Sequence, residues 1–152
     1  MKTLQNQADR DALVQRLGKI RPDSEPRWGK MSAHQMICHL SDSFRGVMGE
    51  KELKPAPRSF AGKFVKWVAL YAPMPWPHGV KTRPEMDQRI GGTLPGDFAA
   101  DVRELRRLFE KFTRRPMEFQ WRPHPIFLEM SEKDWMRWGY LHMDHHLRQF
   151  GA

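Results

Sequence analysis

The chain has 152 residues, of which 39% are hydrophobic and 29% charged, as expected for one globular domain spanning residues 1–152. Its net charge of +8 would permit binding to nucleic acid, but the basic residues are interspersed with acidic ones and no recognition motif accompanies them. We therefore do not expect a nucleic-acid partner. No apolar run is long enough to span a membrane, so we do not expect a membrane partner either.

Helical periodicity dominates the first third of the chain. The first predicted helix covers roughly Gln7 to Leu17, and Gly18 is its stop signal. After a polar loop, Ser32 is a good N-cap for a second helix, which extends to about Met48 and ends at Gly49. Both helices carry apolar residues along one side, as expected for helices that pack against a common core.

A third, shorter helix is predicted from about Phe60 to Tyr71, where Phe64, Trp67 and Val68 fall at helical spacing. A proline-rich stretch follows and extends to about Pro95. Closely spaced prolines fit neither a helix nor a central strand. A connection of this length within a compact domain is uncommon and is often functional.

Two more helices are predicted in the remainder of the chain. The fourth extends from about Asp97 to Phe112, and the fifth from Ser131 to Phe150. Ser131 and Asp134 have the spacing of a capping box. Since no segment alternates clearly enough for a strand, the sequence predicts an all-α bundle of four main helices, one short helix and a long proline-rich loop.

The last predicted helix carries two histidines on its apolar side. His142 and His146 are four residues apart, a spacing that places both imidazoles on one face, between the tryptophans and Met143. A buried polar pair needs partners, because leaving it unpaired costs a few kcal/mol. Hydrogen bonding within a polar core and binding of a metal ion both satisfy this requirement, and the spacing does not decide between them.

The second helix offers a third imidazole. His39 lies beside the apolar face of this helix and is expected to point toward the interior of the bundle, near its edge. Facing helices can bring such a side chain to the His142 and His146 pair, as in the metal sites of other bundles. Three histidine ligands with open positions are typical of a catalytic rather than a structural metal site.

These residues resemble a known pattern. The sequence Trp28-Gly29-Lys30-Met31 leads into the helix that carries His39, His124-Pro125-Ile126-Phe127 forms a loop motif, and the chain closes with His142-x-x-x-His146-x-x-Gln149. From about Arg27 to Gly151 the chain resembles the DinB-like superfamily of metalloenzymes. It is most similar to a branch that ends in His-His-Leu-Arg-Gln-Phe-Gly.

The resemblance implies an up-down helical bundle in which His39, His142 and His146 bind a divalent metal ion. Zinc or nickel is the expected ion because both accept imidazole ligands, with iron and manganese as alternatives. The implied function is a metal-dependent transferase or hydrolase that activates water or a low-molecular-weight thiol for reaction with a small molecule. The alternative is a non-catalytic protein that the metal stabilises and that binds a small ligand or a partner.

Four further residues are candidates for the surroundings of the site. Asp42 could orient a ligand, although a solvated salt bridge is the favoured interpretation, and Gln149 could bond either a ligand or a helix carbonyl. His124 is interpreted as a lid residue or a simple loop turn. His145 is expected at the surface or behind the metal ligands. Among the other residues, His34 is expected to be exposed and Cys38 to belong to the core.

Compartment and assembly follow from weaker signals. The single cysteine fits a reducing environment, and the first residues lack the apolar stretch of a signal peptide, so we expect a cytoplasmic protein. An exposed apolar helix face could serve a homodimer, as in many relatives of the superfamily it resembles.

Overall fold

The computed structural model describes residues 1–54 and 62–152. Regular structure in this part consists of five α-helices and a short 3-10 helix: α1 Gln7–Leu17, α2 Ala33–Met48, α3 Gly62–Tyr71, the 3-10 helix Pro84–Met86, α4 Phe98–Thr113 and α5 Glu132–Gln149. No β-strand occurs among the described residues. The predicted all-α class is confirmed.

Local capping determines where the long helices begin and end. The Ser32 side chain accepts from the Gln35 backbone N–H, and the Gln35 side chain accepts from the Ser32 backbone in return. Ser131 and Asp134 form the same reciprocal box at the start of α5. Gly49 ends α2 with a φ of 80°, which glycine adopts without strain. The predicted N-caps Ser32 and Ser131 are confirmed.

The core is built around α2, which packs against α4 and α5 and is buried along most of its length. Helix α5 also contacts α1 and α3. An aromatic cluster joins the three central helices: the Phe44 ring lies 4.9 Å from that of Phe112 and 6.2 Å from that of Trp138, between centroids. These spacings are those of stabilising aromatic pairs. They keep α2 and α5 in contact over their central turns.

Helix α3 differs from its predicted packing. Phe64 and Trp67, which the periodicity assigns to its apolar side, are 70% and 58% exposed, whereas Leu70 is fully buried. The reason is that α3 packs mainly against α5, so only one narrow stripe of this short helix is covered. The predicted start of the helix at Phe60 lies outside the described residues.

The connection between α3 and α4 is anchored to α2. Its 3-10 helix packs directly on α2, and Met86 and Gln88 are buried there. This contact brings backbone groups of the connection next to the N-terminal half of α2. None of the helices in the described ranges is long and apolar enough to cross a membrane.

Candidate metal centre

Three histidines from two helices meet in the bundle. His39 projects from α2, and His142 and His146 project from successive turns of α5. Their ring centroids lie 4.8 to 5.2 Å apart, and one ligand nitrogen of each ring lies within 4.8 Å of the others. His39 and His146 are buried, and His142 is half-buried. The three histidines predicted from the sequence are therefore brought together.

A backbone carbonyl fixes the orientation of His39. Its Nδ1–H donates to the Met86 carbonyl at 3.1 Å. Because a carbonyl only accepts, Nδ1 carries the proton in the neutral ring, and Nε2 presents a lone pair. That Nε2 lies 3.2 Å from Nε2 of His142. The connection between α3 and α4 thus orients His39 toward α5.

Gln149 orients His146 in the same manner. Its Oε1 lies 2.8 Å from His146 Nδ1, while its Nε2 donates to the Trp28 carbonyl at 2.8 Å. Because the Trp28 carbonyl can only accept, the amide atom that faces it is the nitrogen. Oε1 therefore faces His146 and accepts from Nδ1–H, which leaves His146 Nε2 with a lone pair. Gly29 permits this approach: a Cβ at its position would lie 2.9 Å from Gln149 Nε2, and its φ is 80°.

His142 completes the group without such a partner. Its Nδ1 is buried and forms no hydrogen bond to any described residue. The pKa of His142 lies well below its ordinary value, mainly because the ring is buried. The positive charges that His146 and His39 would carry lower this pKa further. Burial also lowers the pKa of His39 and, together with the charge of His39, that of His146. All three rings are therefore neutral at pH 7, the form that binds metal ions.

The spacing of the nitrogens suits a small cation. In a tetrahedral site with metal–nitrogen bonds of about 2.0 to 2.1 Å, neighbouring ligand nitrogens are about 3.3 Å apart. The 3.2 Å between Nε2 of His39 and Nε2 of His142 is close to this value. Two facing lone pairs at that distance repel unless a proton or a cation lies between them. The donor set therefore fits a divalent ion such as zinc or nickel.

A large cavity opens above the three histidines. Its volume is about 1000 Å³, and its walls include Trp28, Trp76 and Phe127 beside the imidazoles. Trp138 lies under His142, with ring centroids 5.0 Å apart. Three side chains would leave an ion held there with room for a further ligand, and the cavity is the space beside the histidines that could supply one.

Asp42 has a different role from the favoured prediction. Its side chain is fully buried rather than solvated. It accepts from the backbone N–H of Thr93 at 2.7 Å and from the Thr93 hydroxyl at 2.6 Å, and it pairs with Lys51 at 2.8 Å. Asp42 therefore anchors the connection that carries Met86. It supports His39 through that backbone and does not bond to the ring.

His124 and His145 both border the cavity. His124 is buried, and its Nδ1 accepts from the backbone N–H groups of Ile126 and Phe127 at 3.1 Å each, so it is both a loop turn and a wall residue. His145 is half-buried, with its ring 5.2 Å from that of His146. Burial, together with the Arg148 charge, lowers the pKa of His145 to about 4. It lies beside the three-histidine group without joining it.

A second cluster was not predicted. His34 and Cys38 on α2 and Asp101 on α4 place ligand atoms within 4.8 Å of one another. His34 is half-buried and bonds Asp101 at 2.7 Å, so its predicted exposure is wrong. The same carboxylate oxygen accepts from the Gly96 N–H, and burial raises the pKa of the Cys38 thiol to about 12. Internal hydrogen bonds thus satisfy this cluster; the i, i+4 spacing of His34 and Cys38 was its only sequence signal.

These features define a helical protein with a three-histidine cluster at the base of a cavity. The model of a family described as "Protein of unknown function (DUF1569)" matches residues 2–152. The chain belongs to this family. Searches of the curated proteins and of the solved structures found no match.

Proposed function

We propose that the protein is a metal-dependent enzyme of the DinB-like type, in which Nε2 of His39, His142 and His146 bind a divalent ion, zinc or nickel. We infer one helical domain over residues 1–152. The free, buried Cys38 supports a reducing, cytoplasmic setting. The observation that carries the proposal is the convergence of three neutral imidazoles on one point at the base of a cavity.

The outward hydrogen bonds strongly support metal binding. Histidine ligands in metal sites ordinarily donate their second N–H to a carbonyl or a side-chain oxygen, which fixes the ring and raises its basicity. His39 donates to the Met86 carbonyl and His146 to the Gln149 amide oxygen. A metal-free polar core would join His142 to His39 by one hydrogen bond. The buried Nδ1 of His142 is unpaired in either state, so the support for metal binding comes from the oriented rings of His39 and His146.

The cavity supports an enzyme rather than a structural metal site. Structural zinc sites use four protein ligands and are closed, whereas this site offers three and faces a cavity of about 1000 Å³. A bound ion supplies a positive charge that acidifies a water or thiol and polarises a carbonyl. The largely apolar walls of this cavity can hold a small molecule beside the histidines. The supported reaction class is transfer or hydrolysis on a small molecule.

Metal content tests the proposal directly. Untagged protein is loaded with zinc or nickel, dialysed against metal-free buffer and measured by inductively coupled plasma mass spectrometry. We expect one ion per chain in the wild type and a loss of binding in His142→Ala. Gln149→Ala should retain the three ligands but bind the ion roughly 10 to 100 times more weakly, because His146 loses its orienting acceptor.

His34→Ala is the matched control, since it removes a histidine of the other cluster from the same helix that carries His39. It should retain one ion per chain. Loss of the ion in His34→Ala with retention in His142→Ala would place binding at the other cluster and contradict the proposal. Protein that binds the ion but shows no metal-dependent turnover in hydrolysis and thiol-transfer screens would instead support the non-catalytic alternative.

A further inference from the structure

The cavity has an uneven distribution of charge. Among the described residues that line it, four are cationic and Asp87 is the single carboxylate. Arg89 pairs with Asp87 at 2.9 Å, and Arg83 pairs with Glu85 at 3.2 Å. Lys30 and Lys81 form no ion pair with a carboxylate of the described residues. Two uncompensated positive charges therefore remain at the cavity.

These two lysines belong to loops that touch each other. The Trp28 ring stacks on the His78 ring with centroids 3.9 Å apart and an interplanar angle of 8°. Lys30 follows Trp28 by two residues, and Lys81 follows His78 by three. Both lysines are exposed and line the cavity, so each brings a cationic side chain to its rim, close in sequence to the stacked rings. A cationic rim concentrates anions and orients them as they enter.

The interior below the rim is flat-walled and apolar. Trp76 lines the cavity beside the histidines, with its ring centroid 5.9 Å from that of His142 and 6.0 Å from that of His145. Phe127 and Val68 line the same space. Aromatic walls of this kind favour planar or extended apolar groups, which they contact over a large area. The cavity thus combines an apolar body with a positive rim.

We propose that the cavity binds a small organic anion with a flat apolar body, its carboxylate or similar group at Lys30 and Lys81 and its apolar part along Trp76 toward the histidines. The inference deepens the proposed function and rests on it, because it assigns a ligand class to the same site. The orientation leaves the anionic group at the rim and directs the opposite end of the molecule to the imidazoles.

A pair of isosteric probes tests the charge requirement. Binding of 4-phenylbutanoate and of its neutral amide, 4-phenylbutanamide, is measured by isothermal titration calorimetry on zinc-loaded protein. We expect the acid to bind roughly 3 to 30 times more tightly than the amide, since two exposed ion pairs contribute modestly each. The preference should fall as salt is added, because exposed charges are screened.

A double variant and its matched control locate the effect. Lys30→Gln/Lys81→Gln should bind the acid and the amide equally, while Lys19→Gln/Lys133→Gln should keep the wild-type preference. The control removes the same charge from exposed lysines outside the cavity lining. Equal loss in both double variants would mean that net charge alone attracts the anion, and it would overturn the assignment.

Three other outcomes would overturn the inference. Equal affinity for acid and amide in the wild type, or no binding of either at concentrations on the order of 10 mM, overturns the inference. A preference that survives in Lys30→Gln/Lys81→Gln but disappears when zinc is chelated places the carboxylate on the ion and overturns it too. Zinc content is measured in every sample, so failure of metal binding is recorded separately from failure of anion recognition.

Discussion

At the scale of single residues, the partner of Nδ1 distinguishes the histidines. Nδ1 of His39 and of His146 donates to an oxygen, which leaves Nε2 as a lone-pair donor toward the cluster. His124 is the reverse case: its Nδ1 accepts from two backbone N–H groups, so the proton is on Nε2. One side-chain type thus serves both as a candidate ligand and as a turn residue, depending on the backbone around it.

Replacing His124 with asparagine should remove the share of the acid sensitivity of the fold that this histidine causes. Burial, together with the charge of Arg83, lowers the pKa of His124 to about 3, against 6.5 in the unfolded chain. Because the unfolded state binds the proton first, stability falls as the pH drops below about 6.5. Over roughly two pH units this amounts to about 2 to 3 kcal/mol. The asparagine side-chain oxygen can accept from the same N–H groups.

The measurement is urea unfolding of wild type and His124→Asn from roughly pH 7.5 to pH 4.5, with chelator present. Differences between the two proteins isolate His124 from the other buried histidines, which titrate in both. We expect similar stability near neutral pH and a shallower loss in the variant toward acid. Parallel curves for the two proteins would show that His124 does not remain neutral in the folded state.

At the scale of elements, the connection between α3 and α4 is part of the candidate metal centre. Asp42 on α2 binds the Thr93 backbone and hydroxyl, and the same connection presents the Met86 carbonyl to His39. A helix and a loop therefore orient one ligand together. The loop must be in place for His39 to be oriented, although none of its side chains belongs to the cluster.

Asp42→Asn should weaken both the fold and metal binding. In asparagine an NH₂ donor replaces one of the two carboxylate oxygens. Only one acceptor oxygen then remains for the donors of Thr93 and Lys51. A loss of about 2 to 4 kcal/mol in unfolding free energy is expected for a buried, charge-paired group. Metal affinity should also fall, because the connection no longer holds Met86 against His39.

Asp9→Asn is the control for this experiment. Asp9 is also buried on a helix and accepts a backbone N–H, from Thr3, but on α1 and outside the lining of the cavity. It should lower stability and leave the zinc dissociation constant unchanged, as measured by competition with a chromophoric chelator. If Asp42→Asn, like Asp9→Asn, lowered stability without changing the zinc dissociation constant, the connection would have no role in orienting His39.

At the scale of the whole molecule, the features that the sequence predicts well are local. Helix bounds follow from caps such as Ser32 and Ser131, whose partners lie three residues away. The pairing of His142 with His146 follows from helical spacing alone. The approach of His39 to this pair required either the packing of α2 on α5 or the resemblance of the whole pattern, since 103 residues separate His39 from His142.

What local patterns miss depends on distant segments. Asp42 looks like a surface charge in its own helix, and only the connection 51 residues later covers it. Phe64 looks apolar and internal, yet its side chain is 70% exposed and, among the described residues, α3 packs mainly against α5. His34 is partly covered because it bonds Asp101 of α4. In each case the tertiary partner, which periodicity cannot identify, determines burial.

A metal ion should stabilise the protein by joining α2 to α5. These helices share no short connection, and an ion held by His39 and the α5 pair would bridge them only in the folded chain. With free zinc about 100-fold above its dissociation constant, linkage predicts about 2.7 kcal/mol, which is roughly 5 to 10 °C in Tm for a chain of this size. Differential scanning calorimetry with zinc and with chelator measures the shift.

His39→Ala should remove most of this shift, because the two histidines left on α5 hold zinc only weakly and cannot link the helices. His34→Ala should retain the shift in full. Native-state hydrogen exchange adds a spatial criterion: zinc should increase protection in the central turns of α2 and α5, and much less in α1, which contacts α5 but lies outside the cluster. An equal shift in His39→Ala would mean that zinc binds a surface unrelated to this bridge. The histidine pair on α5 can hold zinc weakly without His39. The size of the zinc-dependent Tm shift in His39→Ala relative to the wild type therefore decides whether α2 takes part.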